Sequence, residues 1–525
     1  MKLDGKARWM RGWWGPGALV MTVAMALRCF RLGEVELWFD ESYSGLLSFF
    51  TPQDILRYAR AEVAPPLYYL TLGAWAGLFG HSETALRALS VVTGSLTALV
   101  VYGVARKTSV AAGLAAGMAV ALSPLHVQYS RQARMYAMLL LLISGAIACL
   151  LRALGHGRAA RLRWWAAYAL CSAAAIWTHY FAVFALSAGL FVVLGRGRPA
   201  QREFGLATAV TVLLSLPLVP WVLVQAHLPA TDWIEALYRA IPPPLAIPRT
   251  LELFTPGALY PSYPQFRFGP PLCRPMTFLL LSAALIPGVL CAIRGVPEEH
   301  RIARAGLAFL ILPLVLMSAA SILRPIYLPG RYDLVALPGF AILGGVGIAR
   351  LPRAGRALVA LVAVVLAAGS LAPHFRPAMY ASVSRAVARN LAPALQPGDV
   401  LLFTGYSMPE VRYALLRAGR DPMFRTMPLS SAQHPGWLDL GLLNDPSRRR
   451  LESNRAAREA AAMAGGRSVW LLVDKGQPGG RAMIDALESL GLRAAVVLNL
   501  VDGPPGPWRR PLYAVAFVHP RASSP

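Results

Sequence analysis

Over its first 375 residues the chain alternates long apolar runs with short, mostly basic connections. Runs near 20 residues are the length a helix needs to cross a bilayer. On that basis the pattern predicts spans at about residues 13–32, 84–106, 109–125, 135–151, 164–178, 181–195, 204–224, 275–293, 305–323, 335–349 and 356–372, about eleven in all. From about residue 376 the apolar density falls. Strand-like runs "DVLLFT" (399–404), "SVWLLV" (468–473) and "AAVVLNL" (494–500) then alternate with helix-like "MPEVRYALLRAG" and "RAMIDALESLG". The reading is a polytopic α-helical membrane protein over residues 1–375, followed by a soluble α/β domain over residues 376–525.

The segment "PPLYYLTLGAWAGLFG" (65–80) is apolar but short for a span. Charge decides how to treat it, because short cytoplasmic loops collect Lys and Arg. If residues 65–80 do not cross, the basic loops share one side: the N-terminus, Arg106 and Lys107, residues 151–163, residues 194–202, "RGVPEEHRIAR" (294–304) and "ARLPRAGR" (349–356). If they cross, every later loop inverts. The segment is therefore laid along the outer interface, where Tyr68, Tyr69 and Trp75 suit the headgroup region. This topology places residues 33–83, 126–134, 225–274 and 324–334 outside, together with the C-terminal domain, and keeps the N-terminus cytoplasmic as an uncleaved first helix.

Composition agrees: 56% of the 525 residues are hydrophobic, 15% are charged, and mean hydropathy is +0.49. The formal net charge of +25 reads as topology, since the basic residues punctuate apolar runs and form no soluble nucleic-acid face. The five cysteines show no paired spacing of a disulfide framework or zinc cage.

Acids are placed unevenly. Of fifteen before residue 373, seven (Glu34, Glu36, Asp40, Glu41, Asp54, Glu62, Glu83) fall within residues 34–83. Asp40 and Glu41 follow Leu37, Trp38 and Phe39, which sets them beside the membrane surface. In "SPLHVQYSRQARMYAM" (123–138), Arg131 and Arg134 stand three apart, a spacing that lets them share a helical face and grip phosphate oxygens, with Tyr136 beside them. In "LRPIYLPGRYDLVALPG" (323–339), Arg324, Arg331 and Tyr332 stand at another outer mouth. One acidic and two basic walls suit transfer of a sugar from a polyprenyl phosphate. A carboxylate takes the proton of an acceptor hydroxyl, cations stabilise the departing phosphate, and the helices house the isoprenoid. The competing class, a transporter or flippase of a lipid-linked substrate, places ionisable groups in mid-membrane. Here the spans after residue 108 are nearly free of acids.

The chain resembles the C-type, polyprenyl-phosphate-dependent glycosyltransferases, in particular bacterial relatives of the protein O-mannosyltransferases and aminoarabinose transferases (glycosyltransferase family 39-like). The resemblance runs over roughly residues 15–350 and rests on "FDESYS", the segment from "APPLYYLTLG" to "VVYGVAR", "SPLHVQYSRQARMYAM" and "GRYDLVALPG". It implies a glycosyltransferase of a bacterial inner membrane, with Asp40 as base and Glu41 supporting the acceptor or a metal. It also implies Arg131, Arg134 and Arg331 near the donor phosphate, and leaves a divalent cation at Asp40 and Glu41 open. Many relatives carry His before Pro-Pro-Leu-Tyr-Tyr; here the position is Ala64, with Glu62, His81 and His179 as candidates to replace it. The acceptor and sugar are not specified by the sequence. "VDKGQPGG" (473–480) lacks the full phosphate-loop pattern and reads as an ordinary strand-to-helix turn.

Overall fold

The computed structural model describes residues 3–61, 64–155, 157–225, 243–257, 273–375, 383–404, 407–429, 442, 444–474, 479–501 and 512–519. Glu62 and the turn at 475–478 lie outside the described residues. The chain divides into two compact units. One comprises residues 1–32, 64–68 and 87–376; the other comprises residues 33–63, 69–86 and 377–525.

The first unit is helical. Six of the described helices are long and apolar enough to cross a membrane: Glu83–Ala105, Tyr136–Ala153, Arg198–Gln225, Pro275–Arg294, Pro297–Leu323 and Arg353–Leu371. Val110–Leu122 and Pro124–Ser130 form a seventh candidate, bent by 61°. Ser123 makes that break, with Pro124 opening the second helix and the Ser123 hydroxyl accepting from the His126 N–H. Gly15–Cys29, Ala182–Val193 and Asp333–Ala349 are apolar but shorter, as is Leu67–Phe79, which from Tyr69 on belongs to the second unit. All the expected spans fall on helical chain, yet helix length and composition alone support six or seven crossings rather than eleven. The expected span at 164–178 belongs to Arg158–Thr178, whose first two turns carry Arg158, Arg161 and Arg163.

Small residues let these helices approach closely, as packing without a hydrophobic driving force demands. A Cβ on Gly345 would stand 2.7 Å from the Ala112 carbonyl, and one on Gly306 2.8 Å from the Leu343 amide. The expected basic loops meet at one end of the bundle. Gly155 lies against the Arg301 guanidinium, Gly195 against that of Arg304, and Arg350 pairs with Glu299. The 126–134 and 324–334 loops meet elsewhere, where the Tyr129 hydroxyl donates to the Gly330 carbonyl at 2.9 Å.

The second unit holds a five-stranded sheet of order β2-β1-β3-β5-β4. The strands are β1 (Val400–Thr404), β2 (Met423–Met427), β3 (Val469–Asp474), β4 (Arg493–Asn499) and β5 (Leu512–Val518). β1 pairs parallel with β2 and β3, whereas β5 runs antiparallel to β3 and β4. Both faces of β1 are covered: Leu401 and Phe403 join one apolar core, Val400 and Leu402 the other. That is why its sequence reads as continuously apolar. β2 and β5 escaped the sequence reading, as did the Pro446–Ala464 helix. β2, "MFRTM", is short and half polar.

The first loop and the chain after the bundle meet in this unit. The Phe39–Leu47 helix packs on the Met408–Arg417 helix, and Gly45 makes the approach possible, since a Cβ there would stand 2.8 Å from the Tyr413 ring. Tyr413 donates to the His81 carbonyl at 2.8 Å, Arg417 pairs with Glu83, and Arg385 Nε lies 3.0 Å from Glu36 Oε1. Two of the first loop's seven acids, Glu36 and Glu83, thus pair with residues more than 300 positions later in the chain.

Candidate functional site

In the helical unit, the turn after the Pro124–Ser130 helix and the turn before the Leu337–Ala349 helix bring four expected residues to one place. Tyr136 opens the Tyr136–Ala153 helix, and its hydroxyl accepts from Arg331 Nε at 2.7 Å, which fixes the plane of the guanidinium. That guanidinium stands 5.8 Å from the Tyr136 ring centre and 5.7 Å from that of Tyr332. His179 lies 5.9 Å from Tyr136 and 5.5 Å from Tyr332, ring centre to ring centre, and Phe181 stacks on Tyr332 at 4.4 Å. Arg134 is buried, and the Ser90 hydroxyl donates to its carbonyl.

His179 reports the charge of this cluster. Burial first, then the Arg331 and Arg134 guanidinium groups, push its imidazole down to about 3. The ring is therefore neutral at ordinary pH. Its Nδ1 accepts the Phe181 N–H at 3.2 Å, so the proton sits on Nε2. His179 is a neutral N–H donor between two arginines and an aromatic wall.

The turn that carries Arg331 is locked from below. Asp333 is fully buried, and its Oδ2 accepts from the Gly330 N–H at 2.9 Å and from the Thr250 hydroxyl, which in turn meets the Tyr327 hydroxyl at 2.7 Å. The sequence reading missed Asp333 and Thr250. A lone acid beside "GR" was a signal for the first; nothing local marked the second.

Arg131 does not share a helical face with Arg134. Residues 131–135 form tight turns, with the Arg131 N–H on the Gln128 carbonyl and the Arg134 N–H on the Gln132 carbonyl, so the helix begins only at Tyr136. Arg131 Nη1 instead donates to the carbonyls of Leu27, Arg28 and Phe30, and its guanidinium stands 4.9 Å above the Phe375 ring.

Asp40 and Glu41 belong to the other unit, in the first turn of the Phe39–Leu47 helix. Successive helical residues point about 100° apart, and the two differ accordingly: Glu41 is buried and Asp40 half-buried. Among the described residues no group of three His, Cys, Asp or Glu side chains could hold an ion. His81 is engaged structurally, with Nδ1 2.9 Å from the Ser48 hydroxyl and its ring stacked on Phe49 at 3.9 Å. Ala64 is buried, and of the described candidates for the missing histidine, His179 is the one beside the arginines.

The family model for dolichyl-phosphate-mannose-protein mannosyltransferases matches residues 63–222, a stretch that holds Arg131, Arg134, Tyr136 and His179. No curated protein matches the chain by sequence. The chain has the fold of ArnT from Cupriavidus metallidurans in the apo state, with a TM-score of 0.61 and 15% identity over 96% of this chain and 98% of that one. ArnT bound to undecaprenyl phosphate gives 0.60 and 16% over 95% and 98%. The archaeal oligosaccharyltransferase AglB from Archaeoglobus fulgidus, in complex with an inhibitory peptide and a dolichol-phosphate, gives 0.54 and 12% over 91% and 72%. The resemblance to C-type glycosyltransferases thus holds in both family model and fold, and none of these matches supports the transporter reading.

Proposed function

We propose that this multi-pass membrane protein is an inverting glycosyltransferase that moves a sugar from a polyprenyl-phosphate donor to an acceptor hydroxyl at the outer face of a bacterial inner membrane. The observation that carries the reading is the pairing of Arg134 and Arg331 around neutral His179, in a fold shared with a protein solved with undecaprenyl phosphate bound. In this reading the N-terminus is cytoplasmic, eleven segments cross, and the C-terminal α/β domain is soluble and extracytoplasmic.

The chemistry assigned to the residues is an in-line displacement. Asp40 takes the acceptor hydroxyl proton, the oxygen attacks the anomeric carbon, and the bond to the phosphate oxygen breaks. The polyprenyl phosphate leaves with its charge held by Arg134 and Arg331, with His179 Nε2–H as a neutral donor. Tyr136 and Tyr332 hold Arg331 in place. Glu41, being buried, supports the helix that presents Asp40. Arg131 shapes the turn that precedes Arg134, and no step is assigned to a metal.

The test uses purified protein in lipid nanodiscs with a radiolabelled undecaprenyl-phosphate sugar and a panel of hydroxyl acceptors. Wild type should transfer label, and Asp40→Asn should bind undecaprenyl phosphate as wild type does but lose turnover. Full transfer by Asp40→Asn removes Asp40 as base. Failure of wild type to bind undecaprenyl phosphate removes the donor class.

A further inference from the structure

Away from Arg331, the helical unit has an open cleft of about 160 Å³ between the Glu83–Ala105 and Tyr136–Ala153 helices. Leu99, Val100, Val104 and Leu151 line its shaft, and Lys107 and Arg152 stand at its end. Gly103 and Ala148 keep its walls low, which is how the cleft exists between two packed helices. Tyr136 and Arg152 lie sixteen residues apart on one helix, so at the α-helical rise the cleft's cations are about 24 Å from the Tyr136–Arg331 contact.

Among the described residues, that end gathers Lys107, Arg152, Arg196, Arg301 and Arg304 around Glu298. The start of the Pro297–Leu323 helix, which carries Arg301 and Arg304, packs on Gly155 and Gly195. Burial first, then the like charges of Arg152 and Arg301, push the Lys107 ammonium down, while Glu298 acts in the opposite sense. Glu298 is already held by Arg301, with both carboxylate oxygens 2.6 Å from Nη2. Arg196 likewise feels Arg301 and Arg304. The Arg152 guanidinium stacks on Trp164 at 4.7 Å, which fixes it at the mouth of the cleft.

We infer that this cleft is a binding site for an anionic phospholipid, with one acyl chain along Leu99, Val104 and Leu151 and the headgroup phosphate against Lys107 and Arg152. The apolar shaft selects a lipid over a free anion, because a free phosphate would leave the shaft unfilled. The cation excess selects an anionic headgroup over a zwitterionic one, whose ammonium Lys107 and Arg152 would repel. The site is distinct from the proposed donor site and does not depend on it.

The probes are phosphatidylglycerol, phosphatidylcholine and inorganic phosphate, added to delipidated full-length protein and read by native mass spectrometry and thermal unfolding. Wild type should retain one phosphatidylglycerol and unfold several degrees higher with it, with no comparable response to phosphatidylcholine or inorganic phosphate. The double variant Lys107→Gln/Arg152→Gln should bind phosphatidylglycerol at least tenfold more weakly. Val104→Trp, which fills the shaft and keeps both cations, should also lose it, and guards against misfolding of the double variant. Equal stabilisation by phosphatidylcholine overturns the inference, as does an undiminished response in both variants. Full competition by inorganic phosphate shows a plain anion site and overturns the lipid assignment. Undecaprenyl phosphate binding that survives in the double variant but fails in Arg331→Ala separates this result from that of the donor site.

Discussion

Arg28 and Arg131 each cap a helix end, Arg28 that of Val110–Leu122 and Arg131 that of the helix carrying Arg28. Arg28, in the last turn of the first helix, donates to the Val120 and Ala121 carbonyls at the end of Val110–Leu122, and its Nη2 lies 2.7 Å from His126 Nδ1. Arg131 donates back to the Leu27, Arg28 and Phe30 carbonyls at the end of the first helix. Helix C-termini leave carbonyls without intrahelical partners and carry partial negative charge, so a cation there satisfies both.

The two arginines should differ sharply on substitution. Arg28 is fully buried, and Arg28→Met strands carbonyls and His126 in an apolar setting. A loss of about 1–3 kcal/mol for each group left unsatisfied is expected, read as a large drop in unfolding temperature in detergent. Arg131 is partly exposed, so Arg131→Ala should cost only about 1 kcal/mol and leave undecaprenyl phosphate affinity within a few-fold of wild type. A collapse of that affinity would return Arg131 to the phosphate site that the sequence alone suggested.

Arg331→Ala removes a guanidinium held by the Tyr136 hydroxyl. If it stabilises the departing phosphate, kcat/KM should fall by about 10²–10³. Arg331→Lys should recover little of this, since a point charge cannot reproduce the held fork. Transfer assays with the labelled donor decide it.

The depressed His179 imidazole gives a signed pH effect. With its folded value near 3 against an ordinary 6.5, the unfolded chain binds the extra proton, so this stability is present above pH 6.5 and lost as pH falls toward 3. Between pH 7 and pH 5 the loss should be up to about 2 kcal/mol. In His179→Gln that part of the pH dependence should vanish from thermal unfolding curves. An unchanged slope would mean His179 protonates in the folded protein.

Gly45 should not tolerate a side chain. Gly45→Val drives a methyl group toward the Tyr413 ring, and a cost of about 1–3 kcal/mol is expected. Limited proteolysis between the Phe39–Leu47 helix and the His81 turn should rise, whereas Tyr413→Phe, which loses the hydroxyl's bonds to the His81 carbonyl and Arg417, should cost about 1 kcal/mol.

By itself the sequence determined where helices run and which loops share an end of the bundle. Apolar run length and the Lys and Arg of residues 106–107, 151–163, 194–202, 294–304 and 349–356 are local properties, and bilayer physics acts on them directly. Half-polar β2 lay beyond that signal, because a mixed strand blurs the period, and four or five of the eleven expected spans fall on helices too short, broken or charged to cross by length and composition alone. Only the tertiary structure decided what each charged side chain does. Glu36 and Glu83 joined Arg385 and Arg417, Arg131 went to a helix end, and Arg331 was fixed on Tyr136, 195 residues away. The reason is physical: a side chain's partner depends on burial and on contacts between distant segments, and the spacing of its sequence neighbours encodes neither.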